Sequence, residues 1–96
     1  MPMKTPCHPG ELIKTDIAEL GLTLVDAAKG LGISRQQLHS VIAGRASVTP
    51  EMALRLEKAI GSTADTWLRM QGNYDLAQIR KRGALLKVKR FVPKVA

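Results

Sequence analysis

The chain has 96 residues, enough for one domain, and a composition rich in Leu, Ile, Ala, Val and Met but nearly lacking aromatics favours packed helices over sheet. Its single cysteine, Cys7, excludes an internal disulfide and fits the cytoplasm, and no apolar run approaches the roughly 18 residues of a membrane span. The net charge of +7 does not make the body a nucleic-acid binder, because eight basic and eight acidic residues balance between residues 1 and 79.

The first two predicted helices begin and end at recognisable local signals. Pro9 stands at a first helical position, and Gly21 ends the apolar periodicity that follows it. Thr23 and Asp26 resemble a capping box, with Asp in place of the usual Glu, and the second helix runs up to Gly32. Both segments are therefore predicted to be short amphipathic helices.

The third helix has a polar first turn. Ser34 and Gln37 form a second capping box, and Gly44 closes the helix. The residues predicted to face the core are Leu38, Val41 and Ile42. The residues that must then face outward are Arg35, Gln36, His39 and Ser40.

Two further helices are predicted after the third. Thr49 caps the fourth helix, with Pro50 at its first position, and Gly61 stops it. The fifth helix is expected to start at Ser62-Thr-Ala-Asp65 and to end at Gly83, with an interruption at Gly72-Asn73. The fold class is therefore all-α, with five helices.

The fifth helix has more apolar residues than a four-helix core needs. Trp67 is expected to anchor this helix in the core, and the alternative is a contact between two copies of the chain. The further apolar residues are Leu68, Tyr74, Leu76 and Ile79. A surplus apolar stripe usually finds a partner, so we expect a homodimer.

The end of the chain is basic and has no clean helical or strand period. Its seven basic residues account for the whole net charge of +7, and they are Arg80, Lys81, Arg82, Lys87, Lys89, Arg90 and Lys94. A short strand, an extended arm and a frayed helix all fit residues 88–92, and Pro93 excludes a long continuation. The tail is a solvated, disordered end, an arm that contacts phosphates or the minor groove, or a segment that binds a partner protein.

Helices two and three are joined only by Gly32-Ile33, and so short a link predicts a helix-turn-helix at about residues 23–43. Ala28 is small where the helices must cross closely, and Gly32 can take the left-handed conformation that a tight turn requires. We place a helix-turn-helix domain at residues 1–83 and a basic C-terminal tail at residues 84–96.

The polar first turn of the third helix is interpreted as the reading end of a recognition helix. Such a helix enters the major groove of double-stranded DNA with its N-terminal residues. Gln can form two hydrogen bonds with adenine and Arg can do so with guanine, which suits Gln36 and Arg35. The alternative is a solvated helix face, but the small, glycine and apolar positions around the turn all agree with a helix-turn-helix.

Other kinds of site are not supported. Cys7 and His8 are two adjacent possible ligands, far short of a tetrahedral metal set. Ser34, His39 and Ser40 lack an acidic residue placed to orient the histidine, and no nucleophile elbow is present. We therefore expect no enzyme activity, no metal and no cofactor.

Residues 8–79 resemble the Cro and C1 repressor family of helix-turn-helix domains, which has a lambda-repressor-like fold. More narrowly, they resemble the HigA-type antitoxins. The resemblance is carried by "HPGELIK", "ISRQQLHSVIAGRASVTPEMALRLEKAIG" and "TWLRMQGNYDLAQ". It implies a protein that represses its own operon and neutralises a HigB-type mRNA-cleaving toxin. The homodimer expected from the fifth helix further predicts that the operator is an inverted repeat.

The resemblance also implies which residues contact DNA. Those implied to contact bases are Ser34, Arg35, Gln36 and Ser40, with His39 flanking them. Those implied to contact phosphates are Thr23, Arg45, Ser47 and Thr49. Many members grip a phosphate with Gln at the start of the second helix, where this chain has Leu24, so Thr23 would have to serve instead.

Two rival functions remain open at the level of sequence. The first is a stand-alone dimeric repressor without a toxin partner. The second is an antitoxin that binds only protein and whose helix-turn-helix is vestigial. A neighbouring toxin gene would separate the first from the antitoxin, and operator binding would separate the second.

Overall fold

The computed structural model describes residues 6–83 and 86–94, and it confirms the all-α fold. Its helices are α1 (Pro9–Glu19), α2 (Leu24–Leu31), α3 (Arg35–Ile42), α4 (Pro50–Ala59) and α5 (Ala64–Lys81). Within the described ranges there is no strand, and no helix is long and apolar enough to cross a membrane.

The predicted caps of the three middle helices are present. The Thr23 hydroxyl accepts a hydrogen bond from the Asp26 N–H at 3.1 Å, and the Thr49 hydroxyl accepts one from the Met52 N–H at 3.2 Å. At Ser34 both bonds of the capping box with Gln37 form, each at 3.0 Å. These bonds use the orphan N–H groups of each first turn, so the sequence signals act locally.

Helix α5 departs from the prediction at two points. It is capped by Thr63 and not by Ser62, which takes a positive φ of 60° in the turn that precedes the helix. It also continues through Gly72-Asn73 without interruption. A glycine inside a helix costs about 1 kcal/mol relative to alanine, but α5 packs against the rest of the domain before and after Gly72, through the buried Trp67 and Gln71 and through Tyr74, whose ring contacts His8.

The core lies between all five helices. Its buried apolar residues are Ile13, Ile17, Ala27, Ala28, Leu31, Leu38, Val41, Val48, Met52, Ala53, Leu56, Ala64 and Trp67. Trp67 is the largest fully buried side chain, and its indole N–H donates to the Gly61 carbonyl at 3.1 Å. The expectation that Trp67 anchors α5 in the core is thus confirmed.

The start of α1 lies directly against the end of α3. The Nδ1 atom of His8 accepts a hydrogen bond from the Gly10 N–H at 2.9 Å and caps α1, while its ring makes an edge contact with Tyr74 at 5.0 Å. A side chain at Gly10 would collide with the backbone of Val41 and Ile42. The segment "HPGELIK" therefore sets how closely α1 supports α3.

The described part of the tail, residues 86–94, forms neither helix nor strand, and all its side chains are exposed. Of the three predicted shapes, the short strand and the frayed helix are not observed in these residues. Phe91 is 94% exposed, so it does not belong to the core. The remaining residues of the predicted tail, 84–85 and 95–96, and residues 1–5 of the predicted domain lie outside the described residues.

Candidate nucleic-acid interface

The turn between α2 and α3 has the geometry of a helix-turn-helix. Gly32 takes the left-handed conformation, with φ of 73°, at the C-terminal end of α2. The Gly32 N–H donates to the Lys29 carbonyl at 3.1 Å, and the Ile33 N–H donates to the Ala28 carbonyl at 3.0 Å. These two bonds cap the C-terminal end of α2, and only three residues separate α2 from α3.

Helix α3 presents its first turn to solvent, as predicted. Leu38 and Val41 are buried in the core, and Ile42 packs against it. Arg35, Gln36 and His39 are exposed, whereas Ser40 is half-buried. The polar first turn is therefore the accessible end of a helix whose opposite face is fixed.

An open groove of about 650 Å³ separates α3 from the start of α4. The predicted contact residues that line it are Ser34, Gln36, Ser40, Ser47 and Thr49. Three of these belong to the predicted base-contacting set and two to the predicted phosphate-contacting set. The structure thus brings residues from both sets to one surface, although they are spread over 16 positions of the sequence.

A second depression, of about 630 Å³, lies on the other side of the first turn. It is lined by Leu24, Arg35, Gln36 and His39. Gln36 lines both depressions, so its amide lies on the ridge between them, with Arg35 beside it. Leu24 packs against the core and is the one apolar residue among these four.

Arg45 and His39 form a hydrogen-bonded pair. The Arg45 Nη2 atom lies 3.1 Å from His39 Nδ1. A guanidinium can only donate, so Nδ1 is the acceptor in this bond and Nε2 is left as the ring N–H donor. The structure thereby joins a residue predicted to contact bases with one predicted to contact phosphate, and it leaves a donor on the outer edge of the ring.

Three of the predicted contact residues already act as helix caps. The hydroxyl oxygens of Thr23, Ser34 and Thr49 accept hydrogen bonds from the first turns of α2, α3 and α4. A capping hydroxyl keeps its own proton, which it can donate to a phosphate or base oxygen. Thr23, like Arg45, does not line the groove between α3 and α4.

Comparison with known proteins identifies the family of this chain. A family model described as helix-turn-helix matches residues 13–67. Antitoxin HigA-1 of Vibrio cholerae is 31% identical over 80 residues, which span 82% of this chain and 75% of that protein. The chain belongs to the HigA-type antitoxins of the XRE helix-turn-helix family.

Two further proteins are similar to most of this chain. Virulence-associated protein A' of Dichelobacter nodosus is 41% identical over 83 residues, which span 85% of this chain and 72% of that protein. An addiction module antidote protein of the HigA family from Coxiella burnetii superposes with a TM-score of 0.82 at 30% identity, and the match covers 92% of this chain and all of that one.

A more distant structure shares the fold. The Pseudomonas aeruginosa antitoxin HigA, solved with the higBA promoter, superposes with a TM-score of 0.77 at 23% identity over 83% of this chain and 88% of that one. The HigA-type family consists of DNA-binding antitoxins and regulators and not of enzymes.

In this HigA-type chain, Arg55 supports the helix-turn-helix and was not anticipated from the sequence. Its Nη1 atom donates to the Leu31 carbonyl at 2.9 Å and to the Gly32 carbonyl at 3.4 Å, and its Nη2 atom donates to Glu51 at 2.8 Å. The guanidinium therefore fastens the end of α2 to α4. The only sequence signal was the spacing of Glu51 and Arg55, which is typical of any exposed helix pair.

The HigA-type chain uses His8 for structure. Its Nδ1 atom caps α1, so only Nε2 remains for any other contact. Within residues 6–83 and 86–94, no group of three or more His, Cys, Asp or Glu is placed to hold a metal ion.

Proposed function

We propose that the protein is a sequence-specific DNA-binding antitoxin, which acts in the cytoplasm, represses its own operon and neutralises a HigB-type mRNA-cleaving toxin. The observation that carries the DNA-binding role is the shared groove between α3 and α4. There the exposed ridge residue Gln36 lies between the capped start of α3 and the loop that holds Ser47 and Thr49. A duplex seated on this surface meets base-reading and phosphate-binding groups together.

In the proposed complex the contacts divide into two classes. Those assigned to bases are Ser34, Arg35, Gln36, His39 and Ser40. Those assigned to phosphates are Thr23, Arg45, Ser47 and Thr49. The amide of Gln36 and the guanidinium of Arg35 offer two-bond pairing with adenine and guanine, respectively, so these two side chains supply most of the specificity.

The proposed active form is a two-fold dimer built on α5. Leu76 and Ile79 lie three residues apart on this helix and are 50% and 47% exposed, respectively. Leu68 and Tyr74, which the sequence also placed in the surplus stripe, are half-buried, so the exposed part is narrower than expected. A dyad through this face presents two recognition helices to successive major grooves about 34 Å apart, and the operator is then an inverted repeat.

The toxin role rests on kinship. The family resemblance and the similarity to Antitoxin HigA-1 support it, and no described surface is assigned to the toxin. We expect a small toxin gene beside the gene for this chain. Expression of that toxin should arrest growth, and co-expression of this chain should relieve the arrest. Absence of any such gene favours the stand-alone repressor.

Operator selection tests the DNA role. The purified protein is used to enrich duplexes from a randomised library, and the expected product is an inverted repeat with half-sites about one helical turn apart. Gln36→Ala should lose preference at one base-pair position in each half-site. Failure to enrich any duplex would leave the protein-binding antitoxin with a vestigial helix-turn-helix.

A further inference from the structure

Gln71 is a polar side chain buried on the core side of α5, only 5% exposed. Its Oε1 atom accepts a hydrogen bond from the N–H of Val48 at 2.8 Å, across 23 residues of sequence. The N–H of Val48 can only donate, so the carbonyl end of the Gln71 amide must face it. Helix α5 therefore holds the loop between α3 and α4 by a direct bond.

Asp75 fixes the orientation of that amide. The Gln71 Nε2 atom donates to Asp75 Oδ1 at 3.0 Å. A carboxylate only accepts, so an amide flip would place a carbonyl oxygen against Asp75 and an amino group against the Val48 N–H. Both bonds would be lost together, and the flipped state is therefore excluded.

The bonded residue lies between two groups of the proposed interface. Val48 has Ser47 on one side and Thr49 on the other, and both of these line the groove beside α3. Its own side chain is buried in the core. The loop is thus held twice at one residue, by the buried Val48 side chain and by its N–H, and both neighbours of that residue line the groove.

We propose that Gln71 is a positioning residue for DNA binding, which acts through Val48 to hold Ser47 and Thr49 at the height of the phosphate backbone. The inference rests on the proposed DNA-binding function. It assigns to α5, the helix of the proposed dimer face, a second role in shaping the DNA surface. Gln71 itself does not line the groove.

The test compares Gln71→Met, which keeps length and volume but cannot accept the Val48 bond, with the wild-type chain. Gln78→Met is the matched control, because Gln78 is half-buried two turns further along α5 and lines the groove beside α1. The probe is the duplex that the wild-type protein enriches from a randomised library. The readouts are duplex affinity at several salt concentrations and hydrogen exchange of the Val48 amide, with the amide of the buried residue Ile17 in α1 as an internal reference.

Gln71→Met should make the Val48 amide exchange about 5- to 100-fold faster relative to that of Ile17, since a buried N–H is left without a partner. Affinity should fall about tenfold at every salt concentration while the salt slope stays unchanged, because Ser47 and Thr49 are neutral donors that neutralise no phosphate charge. Gln78→Met should change neither readout. A merely structural role would lower the melting temperature but leave the duplex affinity of the folded protein unchanged, and that result would overturn the proposal.

Asp75 provides a second test that does not depend on the folding of Gln71→Met. Asp75 is exposed, and Asp75→Asn keeps a carbonyl acceptor for Gln71, whereas Asp75→Ala removes it. Asp75→Ala should weaken duplex binding and speed hydrogen exchange of the Val48 amide, and Asp75→Asn should restore both toward wild type. Equal behaviour of the two variants would refute the positioning role, while a wild-type chain that enriches no duplex would instead refute the proposed DNA function.

Discussion

Replacement of Gly10 by alanine should test how tightly α1 supports the recognition helix. A Cβ atom at this position would meet the Val41 carbonyl oxygen and would lie 2.9 Å from the Ile42 Cα atom. These are backbone atoms at the end of α3, which no change of side-chain rotamer can move away. The two helices must therefore separate, and α3 must shift or tilt.

The magnitude follows from two opposing terms. Alanine in place of glycine favours a helix by roughly 0.5–1 kcal/mol, whereas overpacking of a tight contact costs about 1–3 kcal/mol. The clash is with backbone, so the upper half of the overpacking range applies, and Gly10→Ala should destabilise the fold by about 1–2.5 kcal/mol. Gly30 is the control, because it lies within α2 and has nothing within 4 Å of the position of a Cβ atom. Gly30→Ala should stabilise the fold by up to about 1 kcal/mol.

The assay is thermal or urea unfolding of both variants beside the wild type. In a domain of this size, each kcal/mol corresponds to about 4–8 °C in melting temperature, so the two variants should move in opposite directions. Gly10→Ala should also weaken DNA binding at temperatures where it stays folded, since α3 moves. A Gly10→Ala variant as stable as Gly30→Ala would refute the close approach of α1 and α3.

Three further predictions concern the DNA complex and the dimer. Gln36→Ala should weaken specific binding by roughly 1–3 kcal/mol and flatten the sequence preference at one base pair. Arg45→Ala should weaken binding to all sequences alike and reduce the salt slope by about 0.9. The opposite pattern in a binding titration would show that the base contacts and phosphate contacts are wrongly assigned. Leu76→Glu should yield a monomer in sedimentation at micromolar concentration, because it places a charge in the apolar face of α5. A variant that stays dimeric would show that the dimer interface lies on another surface. Deletion of residues 84–96 removes four basic residues and should reduce the salt slope by at most about 3.6 without altering sequence preference or the melting temperature. An unchanged salt slope would show that the tail is a solvated end or a partner-binding segment. Loss of the dimer would show that the tail is part of the dimer interface.

The sequence alone determined where four of the five helices begin and which side of the proposed recognition helix, α3, is exposed to solvent. Caps such as Ser34 with Gln37 are bonds between residues three apart, so the residues that make them are also the residues that encode them. The left-handed turn at Gly32 is a local preference of the same kind. Since the apolar period of α3 fixes its buried side, its exposed side also followed from the sequence.

Only the tertiary structure decided the contacts that join distant segments. Val48 and Gln71 are 23 residues apart, and Leu31 and Arg55 are 24 apart, and neither pair has a sequence pattern that links its members. The unbroken course of α5 through Gly72 likewise depends on packing against the core, which local propensity does not contain. Such features arise because helix packing selects which side chains meet, and that selection is a property of the whole core and not of any one segment.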